Sequence, residues 1–146
     1  MTKILLTTVL TSILLTSNLY AKEGVILLHG LCRTPTSMSK MCQALKDSGY
    51  VVENVAYPSR TCGIEKLAKL AIAPALNNQG FKDCTKIHFV THSLGGILVR
   101  SYFKKRTHRK LGKVVMLSPP NQGREVVDKI GSLPIVQWIN GPAGSE

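Results

Sequence analysis

Short apolar runs alternate along the chain with stretches of helical spacing. Val25-Ile26-Leu27-Leu28-His29 is an unbroken apolar run ended by a histidine, the pattern of a strand buried on both faces. From Thr36 to Ser48, Met38, Met41, Cys42 and Leu45 share one helical face, and Gly49 ends the helix. Tyr50 to Ala56 predicts a second strand, and Pro58 opens a loop. Ile64 to Leu76 is again helical, with Leu67, Ala68, Ala71, Ile72 and Ala75 inward and Pro74 expected to break or bend the last turn. Lys86 to Thr91 predicts a third strand, which runs straight into a helix from Leu94 to about Lys105. Lys113 to Leu117 predicts a fourth strand, closed by Pro119-Pro120. Arg124 to Ile130 reads as a short helix, and Pro134, Trp138, Gly141 and Pro142 as an irregular connection. Strands alternating with helices make βαβ units, so the expected class is α/β: three layers, α/β/α, around a partial parallel sheet.

The first 21 residues stand apart. Lys3 supplies a positive start, Ile4 to Leu15 is apolar apart from small hydroxyl residues, and Leu19-Tyr20-Ala21 ends in a small residue. This is the pattern of a signal peptide over 1–21, cleaved before Lys22 and followed by one domain over 22–146. The alternative is an uncleaved anchor, for which the run is short against a span of ~20 residues. The expected location is therefore outside the cytoplasm, periplasmic or secreted. Export changes the reading of Cys32, Cys42, Cys62 and Cys84: an even count in an exported chain predicts disulfides, and the spacings lack the C-x-x-C of a zinc knuckle. Cys62 follows a strand and Cys84 precedes one, which separates them by about 20 Å across a sheet of ~6-residue strands. A bridge needs Cα atoms within about 7 Å, so Cys32–Cys62 is the expected pair.

Formal charge is +11, from 19 Lys plus Arg against 8 Asp plus Glu, with the densest block over Lys104-Lys105-Arg106-Thr107-His108-Arg109-Lys110. Such a block fits an anionic membrane surface, or a solvated helix end whose cations offset the macrodipole. Nucleic acid is not expected, because no binding motif accompanies the charge.

The strongest chemical signal is His88-Phe89-Val90-Thr91-His92-Ser93-Leu94-Gly95-Gly96-Ile97-Leu98-Val99. An apolar strand runs into a serine, two glycines and an amphipathic helix, the context of a G-x-S-x-G nucleophile elbow. A serine on so sharp a turn needs small neighbours two positions away. Gly95 meets that demand, while Thr91 stands where the first glycine is usual. The plainer alternative is a serine that caps a helix after a strand. If Ser93 attacks a carbonyl, the oxyanion is held by two backbone N–H groups: that of Leu94, after the nucleophile, and that of Leu31, in the loop after the first strand. Gly30 lets that loop approach closely. His29, at a strand end beside glycine, is read as shaping the loop rather than as the catalytic base.

The stretches VILLHGLCRT, YPSR, HFVTHSLGGILVRSYF, KLGKVVMLSPPNQG and WINGPAG together resemble α/β-hydrolase-fold esterases and lipases, in particular bacterial lipase-like and PGAP1-like hydrolases. The resemblance implies the N-terminal part of an α/β-hydrolase fold and a serine hydrolase acting on carboxylic, including lipid, esters. It implies Ser93 as nucleophile, the Leu31 and Leu94 backbones as oxyanion hole, Arg33 as a substrate-binding side chain, and no cofactor or metal. Such hydrolases follow the serine with an acid and then a histidine. After Ser93 the chain holds a single histidine, His108 in the basic block, and Glu125 and Asp128 come too early for the usual acid. The expectation is a chain truncated at its C-terminus relative to such enzymes. The alternative is a non-catalytic binding protein that keeps the pocket. Acyl specificity and oligomeric state are not legible in the sequence.

Overall fold

The computed structural model describes residues 21–119. The expected signal segment up to Tyr20, the helix expected over Arg124–Ile130, Glu125 and Asp128, and the connection over Pro134–Pro142 lie outside the described residues. Four strands, β1 (Glu23–Leu28), β2 (Val51–Val55), β3 (Lys86–His92) and β4 (Leu111–Leu117), form one sheet in the order β2-β1-β3-β4. Every pairing is parallel. The helices are α1 (Ser39–Asp47), α2 (Ile64–Leu76) and α3 (Leu94–Phe103).

The order follows from the handedness of parallel crossovers. From β1 the chain moves one way to β2, and from β2 it crosses back past β1 to β3 and on to β4. Right-handed connections then put α1 on one face of the sheet and α2 and α3 on the other. β1 shows both faces at once. Val25 and Leu27 pack with Met38 and, beside it, Cys42 and Leu45 of α1. Ile26 and Leu28 pack into the larger core with Leu67, Ala71 and Ile72 of α2 and Leu98 and Val99 of α3. Alternate residues of a strand point to opposite faces, and an all-apolar strand is one that buries both. Ile26, Leu28, Phe89, Leu67, Ile72 and Leu98 are fully buried, each contributing about 1.5–3 kcal/mol of transfer free energy.

The elements match the expected ones with local differences. Residues Pro35–Met38 form a 3-10 turn before α1, because Pro35 sets the first turn and lacks an N–H. Met41, expected on the inner face of α1, is exposed, and no residue within α1 is fully buried. Pro74 does not end α2, which runs on to Leu76; only the last turn follows it, where carbonyls already lack intrahelical N–H donors. A further 3-10 turn, Gln79–Phe81, was not foreseen. Its Phe81 lies against Gly24, where an added Cβ would come within 2.5 Å of the ring.

No disulfide joins the four cysteines, so the expected Cys32–Cys62 bridge is not formed. The fold disperses these residues. Cys42 packs on the α1 side of the sheet, Cys62 and Cys84 on the side of α2 and α3, and Cys32 is exposed in the loop after β1. Burial pushes the Cys84 thiol above its usual range, the state of an inert structural cysteine.

Candidate active site

β1 and β3 are neighbours, yet the chain leaves them in opposite directions and toward opposite faces. A crevice opens beyond the carboxyl ends of such a pair, where ligands bind in open α/β sheets. Leu28 pairs with Thr91 at that edge, which brings the loop after β1 against the turn after β3.

Ser93 is the whole of that turn. It lies between His92, the last residue of β3, and Leu94, the first of α3, with φ 49° and ψ −114°. A non-glycine residue at positive φ is strained by roughly 1–3 kcal/mol and persists only where its surroundings enforce it. Here Ser93 N–H donates to the Leu117 carbonyl at 2.9 Å, and Gly96 N–H donates to the Ser93 carbonyl at 3.0 Å. The Ser93 side chain caps no N–H of the helix, so helix capping does not account for a serine here.

The small residues around it are required by contact. A Cβ on Gly95 would lie 2.6 Å from the Leu28 carbonyl oxygen and 2.9 Å from Leu28 Cβ. A Cβ on Gly30 would lie 2.8 Å from His92 Nδ1 and 3.4 Å from Ser93 Cβ. Thr91, in place of the usual glycine, is fully buried, and its hydroxyl makes a long hydrogen bond of 3.5 Å to the Val115 carbonyl. Gly96 makes its room: a Cβ there would meet Thr91 Oγ1 at 3.4 Å.

Leu94 opens α3, so its N–H has no acceptor within the helix. Leu31 is the second residue of a turn closed by Arg33 N–H to the Gly30 carbonyl at 3.2 Å. Cys32, third in that turn, has φ 55°, as a type II turn demands and as the sequence did not reveal. Leu31 packs half-buried on the main core, which anchors the turn beside the elbow.

All four histidines are described. His88 pairs with Glu23 at 3.1 Å near the amino ends of the strands. His108 lies at the same edge, where its carbonyl accepts from Leu111 N–H at 2.9 Å, about a strand length from Ser93. His92 abuts Gly30. His29 is buried, stacked on Tyr57 with ring centroids 4.1 Å apart, and its Nδ1 donates to the Gly30 carbonyl at 2.9 Å. The Tyr57 hydroxyl donates to the His29 carbonyl. His29 and Tyr57 thus brace the loop that carries Leu31. His29 also lines a recess of about 370 Å³ with Tyr57, Pro35 and the exposed Arg33. Among the described residues no three His, Cys, Asp or Glu side chains converge as a metal cluster would require.

Desolvation holds the His29 imidazole below its usual pKa, against a smaller upward effect of the Gly30 hydrogen bond. The folded state therefore binds fewer protons than the unfolded state below about pH 6.5, and the His29 contribution to stability is lost as pH falls through the folded-state value. In denaturation between pH 7.5 and 5, the chain should lose up to about 1.4 kcal/mol per pH unit more than His29→Phe. Phenylalanine keeps the stack on Tyr57 and cannot titrate. Parallel pH profiles for the two proteins would show that His29 is not buried neutral.

Ser93 thus sits at positive φ on a tight strand–helix turn, at the switch point of a parallel sheet. Comparison with solved structures agrees on the fold. The chain is similar to phospholipase PlaB from Legionella pneumophila, at 16% identity over 84% of this chain and 33% of that one, with a TM-score of 0.60. It is similar to an extracellular α/β-hydrolase from a Paenibacillus species, at 17% identity over 82% and 53% of the two chains, TM-score 0.59. Bacillus licheniformis lipase BlEst2 matches at 18% identity over 86% and 54%, TM-score 0.62. The chain has the N-terminal part of an α/β-hydrolase fold, and spans between a third and about half the length of these structures. No family model and no curated protein matches it.

Proposed function

We propose that this chain carries the nucleophile and oxyanion half of a serine hydrolase acting on carboxylic esters, lipid esters included. The observation that supports it above all is the positive φ of Ser93, a strain that a structural serine would not need. Ser93 Oγ attacks the acyl carbonyl and forms an ester to the protein as the alcohol leaves; water then hydrolyses that ester. The N–H groups of Leu94 and Leu31 stabilise the negative charge on the carbonyl oxygen. Arg33, at the mouth of the recess beside the loop, binds a polar part of the substrate. The base that takes the serine proton is a histidine supplied by a further segment of the protein, since His29 is tied to its own loop, His92 packs against Gly30, and His88 and His108 lie at the opposite edge. Names of similar proteins, a phospholipase and a lipase among them, agree with an ester substrate.

The test is a fluorophosphonate probe applied to the protein together with the segment that supplies the base, followed by peptide mapping. The label is expected on the peptide containing Ser93 and absent in Ser93→Ala. Labelling that survives in Ser93→Ala would remove the assignment.

We also propose export, with cleavage after Ala21, on the strength of the charged start and apolar run of residues 1–21. N-terminal sequencing of periplasmic or secreted protein should begin at Lys22, whereas Met1 retained on soluble cytoplasmic protein would contradict it.

A further inference from the structure

α3 starts at the Ser93 edge of the sheet and runs back to the opposite edge, so the basic block after it collects where the strands begin. Ile87 N–H donates to the Lys110 carbonyl at 2.7 Å, which fixes the end of that block beside the start of β3. Between it, the end of α2 and the Gln79–Phe81 turn lies a recess of about 220 Å³. Lys82, His108, Arg109 and Lys110 line it, and no residue lining it is acidic. Glu53, nearby, is engaged by Asn78 Nδ2 at 2.5 Å.

Two features distinguish this recess from a solvated run of cations. The Lys110 ammonium is held in place, donating to the Phe81 carbonyl at 3.0 Å and the Lys82 carbonyl at 2.7 Å. An ammonium has three protons, so one remains to donate. His108 Nδ1 is buried and has no hydrogen-bond partner among the described residues, although buried polar atoms are nearly always paired. A fixed ammonium, a guanidinium and a second lysine around one opening, with the unpaired His108 imidazole in its wall, match the acceptor oxygens of a single anion.

We propose that this recess binds a phosphate group, as free phosphate monoester or as the head group of an anionic phospholipid. The site is about 20 Å from Ser93, a seven-residue strand at ~3.3 Å per residue, and on the opposite edge. A lipid surface held there leaves the serine facing away from it. The basic block then tethers the protein, and does not deliver substrate to the elbow. The proposal is independent of the reaction assigned to Ser93.

The test uses the whole chain and two variants of equal charge change. Lys82→Gln with Arg109→Gln empties the recess of two cations, and Lys104→Gln with Lys105→Gln removes two from the exposed end of α3. Glycerol 3-phosphate and inorganic phosphate are titrated into each and followed by amide NMR shifts. Flotation with phosphatidylcholine vesicles, with and without phosphatidylglycerol, supplies the lipid arm. The expected result is saturable phosphate binding that weakens about tenfold or more in the first variant and far less in the second. Vesicle binding that needs phosphatidylglycerol and is lost in the first variant alone identifies the lipid source; binding of the soluble phosphates alone identifies the free one. Equal weakening in both variants, or shifts that never saturate, would reduce the effect to diffuse charge attraction and overturn the site. Circular dichroism melts of both variants confirm that each is folded.

Discussion

Gly95→Ala is expected to destabilise the domain by about 3 kcal/mol, although alanine favours a helix over glycine by about 1 kcal/mol. The reason is the contact with β1. The new Cβ would sit 2.6 Å from a backbone oxygen and 2.9 Å from Leu28 Cβ, and neither is the end of a flexible side chain. Either α3 lifts off the sheet or β1 bends, and both movements disturb a core in which Leu28 and Leu98 are fully buried. Two other glycines calibrate the result. At Gly49 a Cβ meets nothing within 4 Å, but φ is +88°, so alanine should cost about 1 kcal/mol through backbone strain. At Gly96 the nearest atoms are Met116 Sδ at 3.3 Å and Thr91 Oγ1 at 3.4 Å, side-chain atoms that need give only a few tenths of an ångström, so alanine should cost less than at Gly95. In thermal denaturation Gly95→Ala should lower the midpoint by more than about 10 °C and the other two by less. A Gly95→Ala protein no less stable than Gly49→Ala would show that helix and strand are not so tightly apposed.

Ser93→Gly should abolish turnover and make the protein more stable. In the proposed reaction the hydroxyl is the nucleophile, and its removal costs about 10⁴–10⁶ in kcat, the loss seen when a triad serine is deleted. The stability change comes from the backbone. Strain at φ 49° costs a serine roughly 1–3 kcal/mol, and glycine adopts that conformation freely. The greater entropy of glycine in the unfolded chain takes back up to about 1 kcal/mol, so a net gain of about 1 kcal/mol remains. No capping bond is lost, because the Ser93 side chain makes none. Ser93→Ala keeps the Cβ and the strain, and should be equally inactive without the gain. Denaturation midpoints of the three proteins, beside ester hydrolysis by the form that contains the base, separate the two effects. If Ser93→Gly were no more stable than Ser93→Ala, the turn would not store strain.

The chain's apolar pattern determined the class of the fold. Unbroken runs such as Val25–Leu28 suit a strand buried on both faces, as alternation with helices makes it in a parallel sheet, and Leu67, Ala68, Ala71, Ile72 and Ala75 are buried along α2 as their spacing requires. The tight passage from β3 through Ser93 into α3 was legible too, because an apolar strand, a serine, two glycines and a helical pattern follow one another without a loop. What sequence order does not contain is which distant segments meet. Thr91 looks like a defect in the elbow until Gly96 and the Val115 carbonyl are placed around it. Cys32 and Cys62 both follow strands and so lie at the carboxyl edge, which suggests a bridge; the fold instead leaves one exposed in a turn and packs the other against the core. Cys32 adopts φ 55° in the turn closed by Arg33 N–H on the Gly30 carbonyl, a conformation its residue type does not announce. The basic block reads in sequence as a helix end. Only the direction of α3 across the sheet puts it at the edge away from Ser93, with the Lys110 ammonium held by the carbonyls of Phe81 and Lys82. Local spacing decides helix and strand because their periods are short. The site and the recess depend on contacts between residues tens of positions apart, and those follow from sheet order and crossover handedness.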